Sequence, residues 1–258
     1  MNIFVFDIET IPDTENGKQL HGISDLPQEQ IAEAMFKLRR DKTGDDFMPH
    51  YLQKIVAISV LLRSPSEIKI WSLGDESAPE AELIQRFFTG LERYTPVLVS
   101  WNGSGFDLPV LHYRSLLHGT VASRYWEAGE HDQNFRWNNY LNRYHTRHTD
   151  LMDILAGYQA RANAPLDHLA TMLGFPGKVG MCGADVWHCY QQGAIKKIRD
   201  YCETDVLNTY LVYLRYQLIS GQLPLNRYHE ECTLLRNTLA AAEQAHFDEF
   251  LTHWTNVK

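Results

Sequence analysis

Cysteine is scarce in this chain: four among 258 residues, Cys182, Cys189, Cys202 and Cys232, all in the last third and none in a CxxC pair. That number and spacing exclude a disulfide framework and predict reduced thiols. Cys182, His188 and Cys189 lack a fourth ligand at zinc spacing, so no structural zinc is expected on them. Long apolar runs are missing as well, since none approaches the ~20 residues needed to cross a bilayer. The leading MNIFVFDIET has no basic flank, and its short apolar stretch contains an acid, unlike a secretory leader. The expectation is a soluble, unexported, cytoplasmic chain with no membrane partner. Basic charge is also short, with 24 Lys and Arg against 32 Asp and Glu and a net charge of −8. A broad basic surface for nucleic acid is thereby excluded, although acids gathered around metal ions would carry such a charge without one. Internal repeats, low-complexity tracts and an obvious interdomain linker are absent too.

What is present is the composition of a folded domain, 44% hydrophobic and 22% charged. Asn2 to Glu9 alternates as a strand, with Phe4, Phe6 and Ile8 on one face and Ile3, Val5, Asp7 and Glu9 on the other. Pro12 ends that pattern. A helix is predicted from Pro27 through Ile31, Ala34, Met35 and Leu38, then strands at Lys54–Arg63 and Glu67–Leu73. Ser77 and Glu80 are spaced as a capping box before an amphipathic helix, and Pro96–Ser100 reads as a short buried strand. Trp101 to Phe106 is a glycine-bearing turn, and Asp107 is placed to cap the helix that follows. Signals from Val121 to His148 are poor. Asp150 and Asp153 precede a short helix and are expected to cap it, GFPGKVGMCG (174–183) reads as an exposed loop, and helices are predicted over Ala194–Ile219 and Arg227–Trp254.

Three motifs follow in order: Asp7 and Glu9 in FDIET, Asp107 at the end of NGSGFD, and Tyr201 with Asp205 in YCETD. Context separates them from decoys, because Asp13 and Glu15 repeat the DxE spacing in polar sequence after Pro12, outside any strand. Residues two apart on a strand share a face, and residues four apart on a helix do so again. Asp107 approaches from a third direction, at a turn. Carboxylates that converge without basic partners repel one another, a conflict that bound divalent cations resolve, and oxygen-only ligation favours Mg or Mn over zinc. Lys196, Lys197 and Arg199, just before Tyr201, read equally as a solvated face or as phosphate contacts. Phe106 and Trp101 could stack on a terminal base or pack in the core.

These motifs and their order resemble the tyrosine subclass of the DEDD 3'-to-5' exonucleases on the ribonuclease-H-like, DnaQ-like fold, and FDIET, NGSGFDLPVL and YCETDVLNTYLVYLRY together resemble stand-alone proteins related to the proofreading domain of B-family DNA polymerases. The resemblance implies an α/β fold with a mixed central sheet flanked by helices. It implies a nuclease domain over residues 1–220, with 221–258 as a helical extension packed on it and no room for a polymerase domain. It implies two divalent cations, Mg or Mn, with Asp7 bridging them, Glu9 and Asp205 completing the ion that activates water, Asp107 supporting the other, and Tyr201 positioning the water. Asn102 and Phe106 become the candidate substrate contacts. The expected partner is single-stranded DNA or a 3' DNA end, cut to nucleoside 5'-monophosphates. RNA, or binding without turnover on the same fold, are the rival expectations.

Overall fold

A strand that begins two residues from the N-terminus lies at the middle of the sheet. In the computed structural model, which describes residues 2–255, β1 (Ile3–Pro12), β2 (Gln53–Arg63), β3 (Ile68–Ser72), β4 (Val97–Ser100) and β5 (His148–Asp150) form one mixed sheet in the order β3-β2-β1-β4-β5. Residue 1 and residues 256–258, the outer ends of the two expected domains, lie outside the described residues. β2 pairs antiparallel with β1 and β3, whereas β4 pairs parallel with β1 and β5. β1 outruns its predicted end because a bulge between Glu9 and Thr10 lets pairing with β2 continue to Pro12.

The two faces of β1 divide as their alternation predicts. Phe4, Phe6 and Ile8 pack with Phe87, Phe88 and Leu111 from the helices Glu80–Tyr94 and Asp107–His118. Val5 packs on the other face with Val206, Leu207 and Tyr210 of the long helix Ile195–Ile219. Asp7 and Glu9 continue that second face toward the same helix, between Val5 and Ile11, which packs with Ile198 and Cys202.

Several predicted elements take a different form. Ser77 and Glu80 make no capping box: Pro79 precedes the helix, and Glu80 is buried, accepting from the Ile55 amide at 2.6 Å and from Arg114 Nε at 2.8 Å. Arg114 is itself buried and also pairs with Asp13, so a cation inside the core outcompetes the local cap. Asp13 additionally caps an unpredicted helix, Thr14–His21, which makes the decoy acid a structural one. The expected single helix Arg227–Trp254 is two, Leu225–Ala241 and Ala245–His253. The left-handed backbone of Glu243 (φ 52°) breaks the rod and returns Phe247, Phe250 and Trp254 to the core beside Leu235 and Leu239. β5 was not predicted, because three residues pairing with Leu98–Ser100 carry no periodicity of their own. No helix among the described residues is long and apolar enough to cross a membrane.

Candidate active site

Where β1 passes the Ile195–Ile219 helix, Asp7, Glu9 and Cys202 bring a donor atom each within 4.8 Å of one another. Glu9 is buried and Asp7 half-buried. The Cys202 thiol points at β1, donating to the Asp7 carbonyl at 3.4 Å. Burial, reinforced by Asp7 and Glu9, pushes this thiol up, so it stands as a neutral wall beside oxygen donors.

Asp107 reaches the same place from the far side of the sheet edge. β1 pairs with β4 only from Ile3 to Val5, after which β4 ends and the chain turns away. The Ile8 amide, between the two acids of β1, therefore donates to Asp107 Oδ1 at 3.1 Å. The expectation of Asp107 as the helix cap is corrected here, since Phe106 occupies the cap position and Asp107 is the first helical residue, its carboxylate turned to the sheet. Neither Asp107 nor Asp205 stands within the tight 4.8 Å group. Both are close enough to act electrostatically on its members.

Tyr201 and Asp205 share one face of the Ile195–Ile219 helix, and both line an open groove of about 470 Å³ with Asp7, Asn102, Trp101 and Lys178. Burial and neighbouring acids raise all four carboxyls. Burial first, then Asp107, Glu9 and Asp205, push Asp7 well above the usual carboxylate range. Burial, then Asp205 and Asp107, do the same to Glu9. Burial pushes Asp107 up to about 7, and it pushes Asp205 up to about 6 against the favourable influence of the Tyr201 hydroxyl and Lys178. Tyr201 is raised by burial and by Asp205, so its phenol stays protonated as a donor.

The turn leading to Asp107 is held from behind. Asp150 accepts from the Asn102 amide at 3.0 Å and the Ser104 amide at 2.8 Å while capping the helix Leu151–Leu155, as predicted. Asp153 instead pairs with Arg143 at 2.8 Å. Gly103 is required, because a Cβ there would collide with Ser100 Oγ. Asn102, left-handed at φ 63°, lines the groove. Phe106 packs partly buried against the core, and it also joins Phe47 and His50 in a ring cluster at 5.4 and 5.7 Å.

Lys178 escaped sequence reasoning, where it was one residue of an exposed loop. Its amide donates to Asp167 Oδ1 at 2.8 Å, and the neighbouring Gly177 (φ 64°) is clamped to Asn208 by bonds of 3.1 and 2.8 Å. The clamp turns Lys178 into the groove, where it favours the charged forms of Glu9 and Asp205. The only sequence signal was a lysine directly after a glycine in a turn-rich stretch. Arg199, by contrast, is spent on the carbonyls of Ser72, Leu73, Gly74 and Asp75, and Lys196 pairs with Asp200 at 2.6 Å. Lys196 is exposed, as a solvated face requires, whereas Arg199 is half-buried and corrects that expectation, its donors taken by the end of β3.

The family model for a predicted 3'-5' exonuclease related to the exonuclease domain of PolB matches residues 45–254. The chain belongs to this family. The match takes in Asp107, Lys178, Tyr201 and Asp205 and runs on through both C-terminal helices. It begins after β1, so it is the sheet that adds Asp7 and Glu9 to the matched residues. The α/β architecture with its mixed sheet is the ribonuclease-H-like exonuclease fold that the motifs resembled. Membership of this family supports a nuclease that acts on nucleic acid. A search of curated proteins finds none that matches.

The donor set fits divalent metal. Buried and half-buried carboxylates face one another with Lys178 as the cation in the groove, and the thiol among them is held neutral. Hard oxygen donors whose mutual repulsion opposes ionisation are what a divalent cation satisfies.

Proposed function

We propose that this chain is a cytoplasmic, metal-dependent 3'-5' exonuclease that shortens single-stranded DNA from its 3' end and releases nucleoside 5'-monophosphates. The observation that carries the reading is that Asp7 and Asp205 line one groove while Glu9 and Asp107 stand close enough to act on Asp7, in a chain of this family. Those four side chains would hold two cations, Mg or Mn, which when bound supply the activation of water and the stabilisation of the departing 3' oxygen. Asp7, on which the other three all act, would be a ligand common to the set.

The remaining chemistry belongs to the chain's own groups. The neutral Tyr201 hydroxyl, beside Asp205, orients the water that adds to phosphorus while the bond to the 3' oxygen breaks. Lys178 meets the non-bridging phosphate oxygens and offsets the negative site that a phosphate must approach. Asn102 and Phe106 position the terminal nucleotide, and the cluster of Phe47, Phe106 and His50 offers ring faces to unpaired bases without selecting their sequence. Such stacking needs bases free of a partner strand, which supports a single-stranded end. Residues 1–220 would form the nuclease proper, with the C-terminal helices as its buttress.

End-labelled single-stranded, duplex and mismatched DNA, and RNA, incubated with Mg or Mn, test the reading. Mononucleotide release from single-stranded DNA is expected, and its loss in Asp7→Ala and in Asp205→Ala. Undiminished rates in both variants would end the proposal, and equal or faster cutting of RNA would move the substrate class.

A further inference from the structure

A second group of metal-ligating side chains lies where the C-terminal helix meets the helix bearing Tyr201. Asp200, Glu203 and His246 bring donor atoms within 4.8 Å of one another. A cavity of about 250 Å³ opens beside them, lined by Asp200, Tyr201, His246 and Glu249. The His246 side chain is only 10% exposed, and its Nδ1 is buried with no hydrogen-bond partner, 3.5 Å from Asp200 Oδ1.

The protons can be assigned. His246 Nε2 lies 2.8 Å from Glu203 Oε2, and a carboxylate only accepts, so Nε2 carries the hydrogen. Glu203 is anchored in turn by the Ser72 hydroxyl at 2.7 Å. In the neutral imidazole Nδ1 is then a bare, buried lone pair facing the half-buried Asp200 carboxylate, whose oxygens accept only from the exposed Lys196. Leaving a buried ring nitrogen without a partner is costly, and a cation held between it and Asp200 would satisfy it. A ring nitrogen beside a carboxylate suits a borderline metal, zinc above all, whereas magnesium prefers oxygen alone. A carboxylate gripping the far nitrogen is the arrangement that orients a metal-bound histidine.

We propose that the Nδ1 of His246 and the carboxylate of Asp200 bind one zinc ion, with Glu203 holding the imidazole and water and Glu249 completing the coordination from the cavity rim. Lys196, paired with Asp200 at 2.6 Å, must swing aside; its side chain is 65% exposed, and a surface pair of this kind adds little. The ion would pin Ala245–His253 to Ile195–Ile219 one residue from Tyr201. This site is separate from the groove carboxylates and does not depend on the nuclease reading.

Calorimetric titration of the Asp7→Ala/Asp205→Ala double variant with zinc and with magnesium tests it, because that background disables the groove as a metal site. One zinc bound per chain, a rise in melting temperature with zinc, and no magnesium event are expected. Adding His246→Ala should abolish the zinc event, and Glu203→Gln should weaken it about 10- to 100-fold. Where His246→Ala does not fold by circular dichroism, Asp200→Asn serves the same purpose. A zinc event that persists in either variant, or none with His246 in place, overturns the proposal.

Discussion

The Asp107 carboxylate accepts a 3.1 Å hydrogen bond from the amide of Ile8, the residue between Asp7 and Glu9. One side chain thus closes the open edge of β1 and joins the acidic site. Asp107→Asn keeps an acceptor for that amide and removes the charge, so the fold should persist while metal affinity falls. Asp107→Ala leaves a buried amide unpaired and should cost about 1–3 kcal/mol of stability as well. Urea unfolding of both variants separates the two roles, and equal stability in the pair would contradict them.

Metal binding should strengthen with pH. Asp205 is raised to about 6 and Asp107 to about 7, so each contributes stability to the metal-free fold that is fully present below the unfolded carboxyl value of about 4 and is lost as pH rises through those folded values. Cations bind the ionised forms and must displace those protons. The melting-temperature gain from Mg over EDTA should be large at pH 8 and shrink steadily below about 6, judged against the same two values. A gain independent of pH across that window would rule out ligation by these carboxyls.

Tyr201→Phe removes the hydroxyl that faces Asp205 without removing a metal ligand. Turnover should drop by about 100-fold, the cost of a poorly aligned reactant, while the Mn affinity measured by calorimetry stays as it was. Matching losses in turnover and in Mn affinity would make Tyr201 a ligand instead.

Lys178→Ala should act chiefly on KM. Losing one charge-assisted contact to phosphate corresponds to about a tenfold or greater rise in KM, with a shallower salt dependence. A variant with unaltered KM and salt response would show that Lys178 serves only to balance Glu9 and Asp205.

Local pattern, read without coordinates, was enough to place the acids on one face of a strand, Tyr201 and Asp205 on one face of a helix, and Asp107 at a turn, because strand and helix periods are properties of the backbone itself. It was also enough to separate Asp7 and Glu9 from the decoy Asp13 and Glu15, since only the first pair lies on an apolar strand. Long-range contacts decided the rest. Glu80 leaves its local cap because Arg114, 34 residues away, needs a buried counter-charge. Asp107 leaves its cap position because β4 stops short and exposes the Ile8 amide. Lys178 enters the groove only through the grip of Asn208 on Gly177, and the third strand of parallel pairing, β5, exists only because β4 is there to receive it. For Glu80 and Asp107 the outcome is a contest between a nearby partner and a distant one for the same buried polar group. For Lys178 and β5 it is a distant contact that has no local rival, and sequence spacing records neither kind of distant partner.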